Sequence, residues 1–113
     1  MEIEYKDSYL KKILKSEDGR GGSVMIYAVK VQGFYLGSIA VERKGRVRLH
    51  DKKQIVAIVP RYATGSGTES SYRTAPRCHS RRSAFEVIVR KLSQSKYGKN
   101  LLAQIEGATN GTE

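Results

Sequence analysis

The sequence has few of the residues that cross-link a small fold or form a cofactor site. Its 113 residues include one cysteine, two prolines and no tryptophan. A single cysteine excludes an intramolecular disulfide, and a domain of this length buries enough surface to fold without disulfides or structural metals. No apolar run approaches the roughly 18 residues of a membrane-spanning helix, and the segment Met1–Glu4 starts acidic. We therefore expect a cytoplasmic protein with one domain, residues 1–106, and a disordered polar tail, residues 107–113.

Acidic residues are also scarce, and the charge is unevenly spread. Eleven acids face 21 lysines and arginines, which gives a formal net charge of +10. Residues 1–42 contain six groups of each sign, whereas residues 43–99 contain fifteen basic groups and three acids. A concentrated positive excess attracts polyanions. The pattern predicts that the partner is nucleic acid or an acidic protein surface, and not a membrane.

Catalytic and metal-binding signatures are weak. Cys78, His79 and His50 form the only cluster of soft ligands, and three such residues cannot supply the four ligands of a structural zinc site without a carboxylate. The arginines near Cys78 would favour its thiolate, yet the sequence offers no oxyanion hole for a cysteine nucleophile. We therefore predict a protein that is not an enzyme and has no metal and no cofactor.

Apolar periodicity predicts a short first helix and four strands. Asp7 is placed to cap the helix, and Ile13 and Leu14 share one of its faces. Runs of β-branched and aromatic residues then indicate strands, joined by turns at Gln32–Gly33 and at a hairpin tip, residues 43–45. We predict these strands at 24–31, 34–42, 46–50 and 55–59, with a further turn at 51–54. Consecutive strands with short turns imply an antiparallel meander.

The last part of the chain predicts a long loop followed by an amphipathic helix. Residues 63–79 are rich in glycine and serine, and a loop of that length is usually a binding loop or disordered. The helix is predicted over 83–92, because Ser83 and Glu86 match a capping box and apolar residues recur at helical spacing. Gly98 is expected to end it, with one or two further helical turns beyond.

These elements define the predicted fold class. It is α+β: an antiparallel four-stranded meander, with the C-terminal helix packed on one face and the short N-terminal helix at an edge. The sequence shows no internal repeat that would indicate a second unit.

Clustered basic residues define two candidate nucleic-acid-binding surfaces. The first lies on the hairpin, and a two-stranded ribbon is narrow enough to enter the DNA major groove or flat enough to lie along a phosphate backbone. An ordinary solvated strand face is the alternative there. The second lies in the long loop and the start of the last helix, where a tyrosine is placed to stack on an unpaired base. The two surfaces comprise Arg43, Lys44, Arg46 and Arg48, and Tyr72, Arg73, Arg77, Arg81 and Arg82.

Two of these arginines stand at the start of a helix, where the macrodipole disfavours cations by ~0.3–1 kcal/mol each. An unbound protein gains nothing from placing Arg81 and Arg82 there, whereas a bound phosphate would neutralise both and accept hydrogen bonds from free N–H groups. The alternative is solvent screening together with an ion pair from Arg82 to Glu86. We predict an anion site at this position.

Two known organisations resemble this one. The segment 80–84, Ser-Arg-Arg-Ser-Ala, is similar to the start of the last helix in double-stranded RNA-binding domains, which sets basic residues against phosphates. The sequence departs from that pattern at Ile88 and Val89, where such domains have small alanines. A meander followed by a helix also looks like the DNA-binding fold of integrase arm-binding domains and of a plant transcription-factor domain. Both resemblances imply contacts with nucleic acid.

The sequence therefore favours a small basic protein that binds DNA or RNA through the phosphate backbone. The competing hypothesis is a small modulator or inhibitor that docks on the acidic or nucleic-acid-binding surface of a larger protein. Clustered arginine suits both partners, since carboxylates and phosphates attract it in the same way. The sequence is also compatible with a homodimer.

Overall fold

Five strands and two helices follow one another in the part of the chain that the structure describes. The computed structural model describes residues 3–17, 22–47, 50–59 and 75–110. The elements are a 3-10 turn Asp7–Tyr9, β1 Leu10–Glu17, β2 Ser23–Val31, β3 Phe34–Val47, β4 His50–Ile58, β5 Arg77–Cys78, α1 Arg81–Leu92 and α2 Lys96–Asn110. Neighbouring strands pair antiparallel in the order β1-β2-β3-β4-β5. The α+β class and the antiparallel meander are confirmed, with one strand more than predicted.

The β2–β3 hairpin forms where the sequence predicts it. Gln32 and Gly33 have positive φ angles of 52° and 83°, the backbone conformation with which a two-residue turn matches the twist of its strands. Past the turn, the β2–β3 register skips Leu36, so a bulge resets the alternation of β3. Leu36 and Ile39 are consequently both fully buried in the same core.

α1 covers one face of the sheet, and α2 adds to the same core. α1 packs on β3, β4 and β5, and α2 packs against α1. The helical spacing predicted for α1 is confirmed, since Phe85, Ile88 and Leu92 are fully buried. The main core joins these side chains to those of the sheet face beneath them, among them Val29, Val31, Ile39, Val41, Ile55, Ala57 and Val59. A smaller apolar cluster on the opposite face comprises Ala40, Val56 and Ala75.

The predicted first helix is wrong, because β1 occupies its place and only a single 3-10 turn precedes the strand. Leu10 pairs with Val29, and the β1–β2 register shifts between Lys12 and Leu14. Such a bulge resets the strand alternation, so apolar residues fall at a spacing that imitates a helix face. Ile13 is 61% exposed, so no helix-like apolar face is buried here.

The predicted hairpin tip at residues 43–45 is also wrong. β3 continues to Val47 and β4 begins at His50, so residues 46 and 47 belong to β3 and not to a separate strand, and residues 51–54, predicted as a turn, lie in β4. Residues 48 and 49 of the predicted strand lie outside the described residues. The β3–β4 register shifts between Lys44 and Val47. A bulge accommodates Gly45 without ending the strand, which is why a glycine among charges does not make a turn here.

The two helices begin and end differently from the prediction. Ser80 caps α1 by accepting a hydrogen bond from the backbone N–H of Ser83 at 3.0 Å, so the predicted capping box that starts at Ser83 is wrong. Gly98 does not end a helix but lies in the first turn of α2, where its N–H donates to Ser95 Oγ at 2.9 Å. α2 extends to Asn110, so the first four residues of the predicted tail are helical.

Two sequence-based expectations are only partly addressed by the described residues. Most of the predicted loop 63–79 lies outside them, apart from the short β5 and its flanks. Within the described ranges, no helix is both long enough and apolar enough to span a membrane.

Candidate nucleic-acid interface

The outer part of the β3–β4 hairpin extends beyond the rest of the sheet. The β2–β3 ladder has its last pair at Ser23 and Arg43, whereas the β3–β4 ladder continues to Val47 and His50. On the other side, β5 pairs only with Ile55 and Val56. Among the described residues the two strands therefore project alone, by about 14 Å at ~3.4 Å per residue. We call this segment, residues 43–47 of β3 and 50–53 of β4, the basic ribbon.

The ribbon pairs like charges with one another. Lys44 lies opposite Lys52, and Arg43 lies opposite Lys53. Directly opposite residues in an antiparallel pair have Cβ atoms about 4.5–5.5 Å apart, and like charges at that position destabilise the pair. One acid, Asp51, stands on the ribbon against five basic residues: Arg43, Lys44, Arg46, Lys52 and Lys53.

The first predicted surface falls largely on this ribbon. Arg43 is exposed on β3, Lys44 and Arg46 belong to the same strand, and Arg48 lies outside the described residues. Sequence reasoning missed Lys52 and Lys53, because it interpreted a run of charged residues as a turn. The available signal was the absence of glycine and proline from residues 51–54, which are the residues that turns use most.

The two arginines at the start of α1 lie on aromatic rings. The Arg81 guanidinium carbon is 5.8 Å from the centroid of the Tyr27 ring, and that of Arg82 is 5.9 Å from the centroid of Tyr5. Such cation–π contacts contribute about 0.5–1 kcal/mol at exposed sites, comparable to the macrodipole penalty. The unbound protein therefore does gain from this placement, contrary to the prediction. Among the described ion pairs none joins Arg82 to Glu86, whereas Lys15 and Glu17 do pair, at 3.2 Å.

The second predicted surface is not assembled on one face. Arg77 pairs in register with Val56, which belongs to the cluster on the face opposite the helices, and it donates a hydrogen bond to Gln54 Oε1. Arg81 lies on the helix-bearing face, over Tyr27. Tyr72 and Arg73 lie outside the described residues. The stacking role predicted for Tyr72 stays a prediction.

The N-terminal segment and α1 form a groove of mixed charge. Its volume is about 750 Å³, and two arginines and two glutamates line it beside apolar side chains. Tyr5 borders the groove, packs against Phe85 with ring centroids 5.4 Å apart, and donates a hydrogen bond to Asp7 Oδ1 at 2.6 Å. Burial, followed by the bond to Asp7 and its charge, raises the pKa of Tyr5 to about 12. Because two glutamates line it beside two arginines, the groove lacks the positive excess of the ribbon.

Comparison with known proteins adds no family. The chain matches no protein-family model, no curated protein and no solved structure. The likeness to double-stranded RNA-binding domains also fails at its first element, because β1 stands where those domains have a helix. The function is therefore inferred from the geometry.

The cysteine is not activated. Burial raises the pKa of the Cys78 thiol and outweighs the lowering effects of a backbone hydrogen bond and of Arg90, so the net shift is opposite to the one predicted. Its Sγ donates to the carbonyl oxygen of Pro76 at 3.8 Å. Within the described ranges, no three histidine, cysteine or acidic side chains lie close enough together to hold a metal ion.

Proposed function

We propose that the protein binds nucleic acid through the basic ribbon, without catalysis, and that phosphate contacts supply most of the affinity. The observation that carries this proposal is the register that sets Arg43 opposite Lys53 and Lys44 opposite Lys52. Like charges directly opposite one another in an antiparallel pair are unfavourable, of the order of a few tenths of a kcal/mol. A polyanion between or beside these residues turns that cost into attraction.

The described core ends before the ribbon begins. The core pair nearest to it is Val41 with Ile55, and Arg43, one pair further out, is exposed. A segment that only had to fold would place opposite charges or threonines at facing positions. The ribbon's sequence is therefore better explained by a ligand than by stability.

A phosphate backbone fits the length of the ribbon. Duplex DNA carries about one negative charge per 1.7 Å of helix axis, so the ~14 Å of the ribbon spans roughly eight phosphates. Five basic residues on the ribbon would release bound counterions in proportion to the phosphates that they neutralise. Five such contacts predict a log–log salt slope of about −4.5 on duplex DNA.

The test compares two charge-matched double variants. Lys44→Gln with Lys52→Gln removes one facing pair, and Lys96→Gln with Lys99→Gln removes two exposed lysines from α2. We expect the ribbon variant to lower the salt slope by about two units and the control to leave it nearly unchanged. Affinity for labelled DNA and RNA oligonucleotides is measured by fluorescence anisotropy over a salt series.

Two results would contradict the proposal. Equal losses in both double variants would mean that affinity follows net charge alone. No binding of the wild-type protein to either DNA or RNA at low salt would favour the competing hypothesis, a modulator that docks on an acidic protein surface.

A further inference from the structure

The strand β1 lies at an edge of the sheet, and its outer side is open. In the order β1-β2-β3-β4-β5 it pairs with β2 alone among the described strands. An edge strand presents a row of backbone N–H and C=O groups on the side away from its neighbour. Every residue from Lys11 to Glu17 is exposed. Within the described part of the chain, this edge therefore has the backbone groups and the access that an added strand needs.

Two large apolar side chains are exposed on this edge. Ile13 is 61% and Leu14 is 50% exposed, and they are two of the four large hydrophobic side chains exposed among the described residues. Charges and bulges are the devices that keep an edge from pairing, and neither device needs an exposed isoleucine or leucine. A partner that covers these side chains explains them better.

Leu14 ends an apolar row that crosses the sheet. It pairs with Ile26, Ile26 pairs with Ala40, and Ala40 pairs with Val56. Directly paired residues share a face of the sheet, and here it is the face opposite the helices, where Ile26 packs against the cluster of Ala40 and Val56. Ala40 and Val56 are fully buried, whereas Leu14 is half-exposed. An apolar side chain opposite Leu14 on an added strand would cover the open end of this row.

The other face of the same edge is positively charged. Lys12 pairs with Tyr27 and Lys15 pairs with Met25. Tyr27 packs against the main core, and its hydroxyl donates to Met25 Sδ at 3.8 Å, so both lysines lie on the helix-bearing face. The Arg81 guanidinium, over the Tyr27 ring, adds to the positive charge there. Acids on an added strand that faced Lys12 and Lys15 would form favourable cross-strand pairs.

The chemistry of the edge indicates the kind of partner. β1 carries three lysines and one acid, Glu17, so charge complementarity favours an acidic partner. A phosphate backbone would also attract the lysines, but it gains nothing from the exposed Ile13 and Leu14 or from the row of backbone groups. An extended peptide uses the charges, the apolar side chains and the backbone together.

We infer that the outer edge of β1 binds an extended acidic segment of another protein, which adds to the sheet as a further strand. Lys12 and Lys15 lie on one face and Leu14 on the other, so the segment alternates acidic and apolar residues. Its acids face the two lysines, and an apolar side chain lies opposite Leu14. The inference is independent of the proposed function, because it involves neither β3 nor β4.

The first experiment uses three synthetic peptides of the length of β1 with blocked ends. One alternates glutamate and valine, the second has lysine in place of glutamate, and the third is the first with every backbone amide N-methylated. Nuclear magnetic resonance follows the amide signals of the isotope-labelled protein during each titration. We expect the acidic peptide to bind at least about tenfold more tightly than either of the others. The largest changes in chemical shift should fall at residues 11–17.

The second experiment uses variants of the edge. The double variant Lys12→Gln with Lys15→Gln should weaken binding of the acidic peptide by about fivefold, because it removes two exposed ion pairs. Leu14→Ser should weaken it by about fivefold as well, because it removes the apolar contact. The double variant Lys96→Gln with Lys99→Gln on α2 is the charge-matched control and should bind the peptide nearly as wild type does. Circular dichroism verifies that all of these variants remain folded.

Four results would overturn the inference. Equal affinity for the three peptides, or no binding of the acidic peptide at about 1 mM, would mean that the edge takes up no strand. The largest shifts falling outside β1 would place the peptide elsewhere. Shifts at residues 11–17 that depend on protein concentration alone would mean that a second copy occupies the edge.

The fourth result concerns nucleic acid. A loss of DNA affinity in the double variant Lys12→Gln with Lys15→Gln as large as that in the ribbon variant would mean that the edge binds phosphates instead of a peptide. The proposed function is tested by the ribbon variant alone, so either proposal can fail while the other stands.

Discussion

The inner and outer halves of the β3–β4 hairpin share one ladder but differ in the residues that face each other across it. The inner half pairs Ile39 with Ala57 and Val41 with Ile55, and these side chains lie in the core beneath the helices. The outer half, the basic ribbon, continues the same ladder with lysine opposite lysine. One ladder thus continues past the last pair that lies in the core. The ladder of strand pairs continues without burial in the core, whereas the stability of the hairpin depends on the buried side chains of its inner half.

The magnitudes of the two halves make the contrast clear. A fully buried isoleucine or valine contributes about 1.5–3 kcal/mol relative to exposure, and Ile39 and Val56 are fully buried in the inner half. The like-charge pairs of the ribbon oppose folding by about 0.2–1 kcal/mol each. The inner half therefore holds the outer half in place. Substitutions in the two halves should have effects of different size and, at some positions, of opposite sign.

The largest effect is expected at the close backbone approach between α2 and α1, the helix that packs on the inner half. A Cβ at Gly98 would lie 2.0 Å from the carbonyl oxygen of Leu92, and this contact joins α1 to α2. Because a backbone atom cannot rotate away, Gly98→Ala should lower the free energy of unfolding by about 3 kcal/mol. Urea denaturation followed by circular dichroism measures the change.

The same helix supplies the control. Gly107 lies in α2, and a Cβ there would meet nothing within 4 Å. Gly107→Ala should therefore stabilise the protein by up to about 1 kcal/mol through helix propensity. If Gly98→Ala were also neutral or stabilising, α1 and α2 would not pack as closely as described.

A smaller effect is expected at the N-terminal segment that packs on α1. The pKa of Tyr5 is raised from 10.0 to about 12, so the fold favours the protonated hydroxyl. This contribution is fully present below pH 10 and is lost as the pH rises through the folded-state pKa of about 12. Solvent screening at this partly exposed group limits it to on the order of 1 kcal/mol.

The measurement compares wild type with Tyr5→Phe. The difference between their free energies of unfolding should shrink as the pH rises, because phenylalanine does not ionise. Ultraviolet difference absorbance follows tyrosine ionisation in the same samples. A difference that stays constant with pH would show that the Tyr5 hydroxyl ionises as easily in the folded protein as in the unfolded chain.

The smallest effect, with the opposite sign, is expected on the ribbon. Lys52→Glu places an acid opposite Lys44, so an unfavourable facing pair becomes a favourable one. The free energy of unfolding should rise by about 0.5 kcal/mol while affinity for DNA falls. Lys99→Glu on α2 makes the same change in net charge. It should raise the free energy of unfolding less and lower the affinity for DNA less than Lys52→Glu does. A ribbon variant that loses stability would mean that Lys44 and Lys52 do not repel each other.

The sequence predicts the parts of this fold that depend on local burial patterns. β2 begins and ends within one residue of its predicted bounds. Its β-branched and aromatic residues favour a strand, and this strand is paired on both sides, with β1 and β3. α1 is predicted because Phe85, Ile88 and Leu92 form a buried stripe. The N-terminal strand could not be predicted in this way, since the bulge near Ile13 gives it the spacing of a helix.

The candidate site shows the same division. Sequence reasoning places Arg43, Lys44 and Arg46 on one hairpin, and they lie on one strand of it. It misses Lys52 and Lys53, because whether a charged run is a turn or a strand depends on what it pairs with across the ladder. Register is a tertiary property, and only the structure sets one basic residue against another.

The exposed edge of β1 has a consequence for the behaviour of the protein at high concentration. Its eight residues leave a row of backbone donors and acceptors without a neighbouring strand among the described residues. An unpaired edge of this kind can pair with a strand of another molecule and so promote aggregation. Lys11, Lys12 and Lys15 stand along this edge. A second copy that approached antiparallel would bring its own lysines against them. The bulge near Ile13 also breaks the regular spacing that a continuous fibre needs, so the same edge that is open to solvent resists self-assembly.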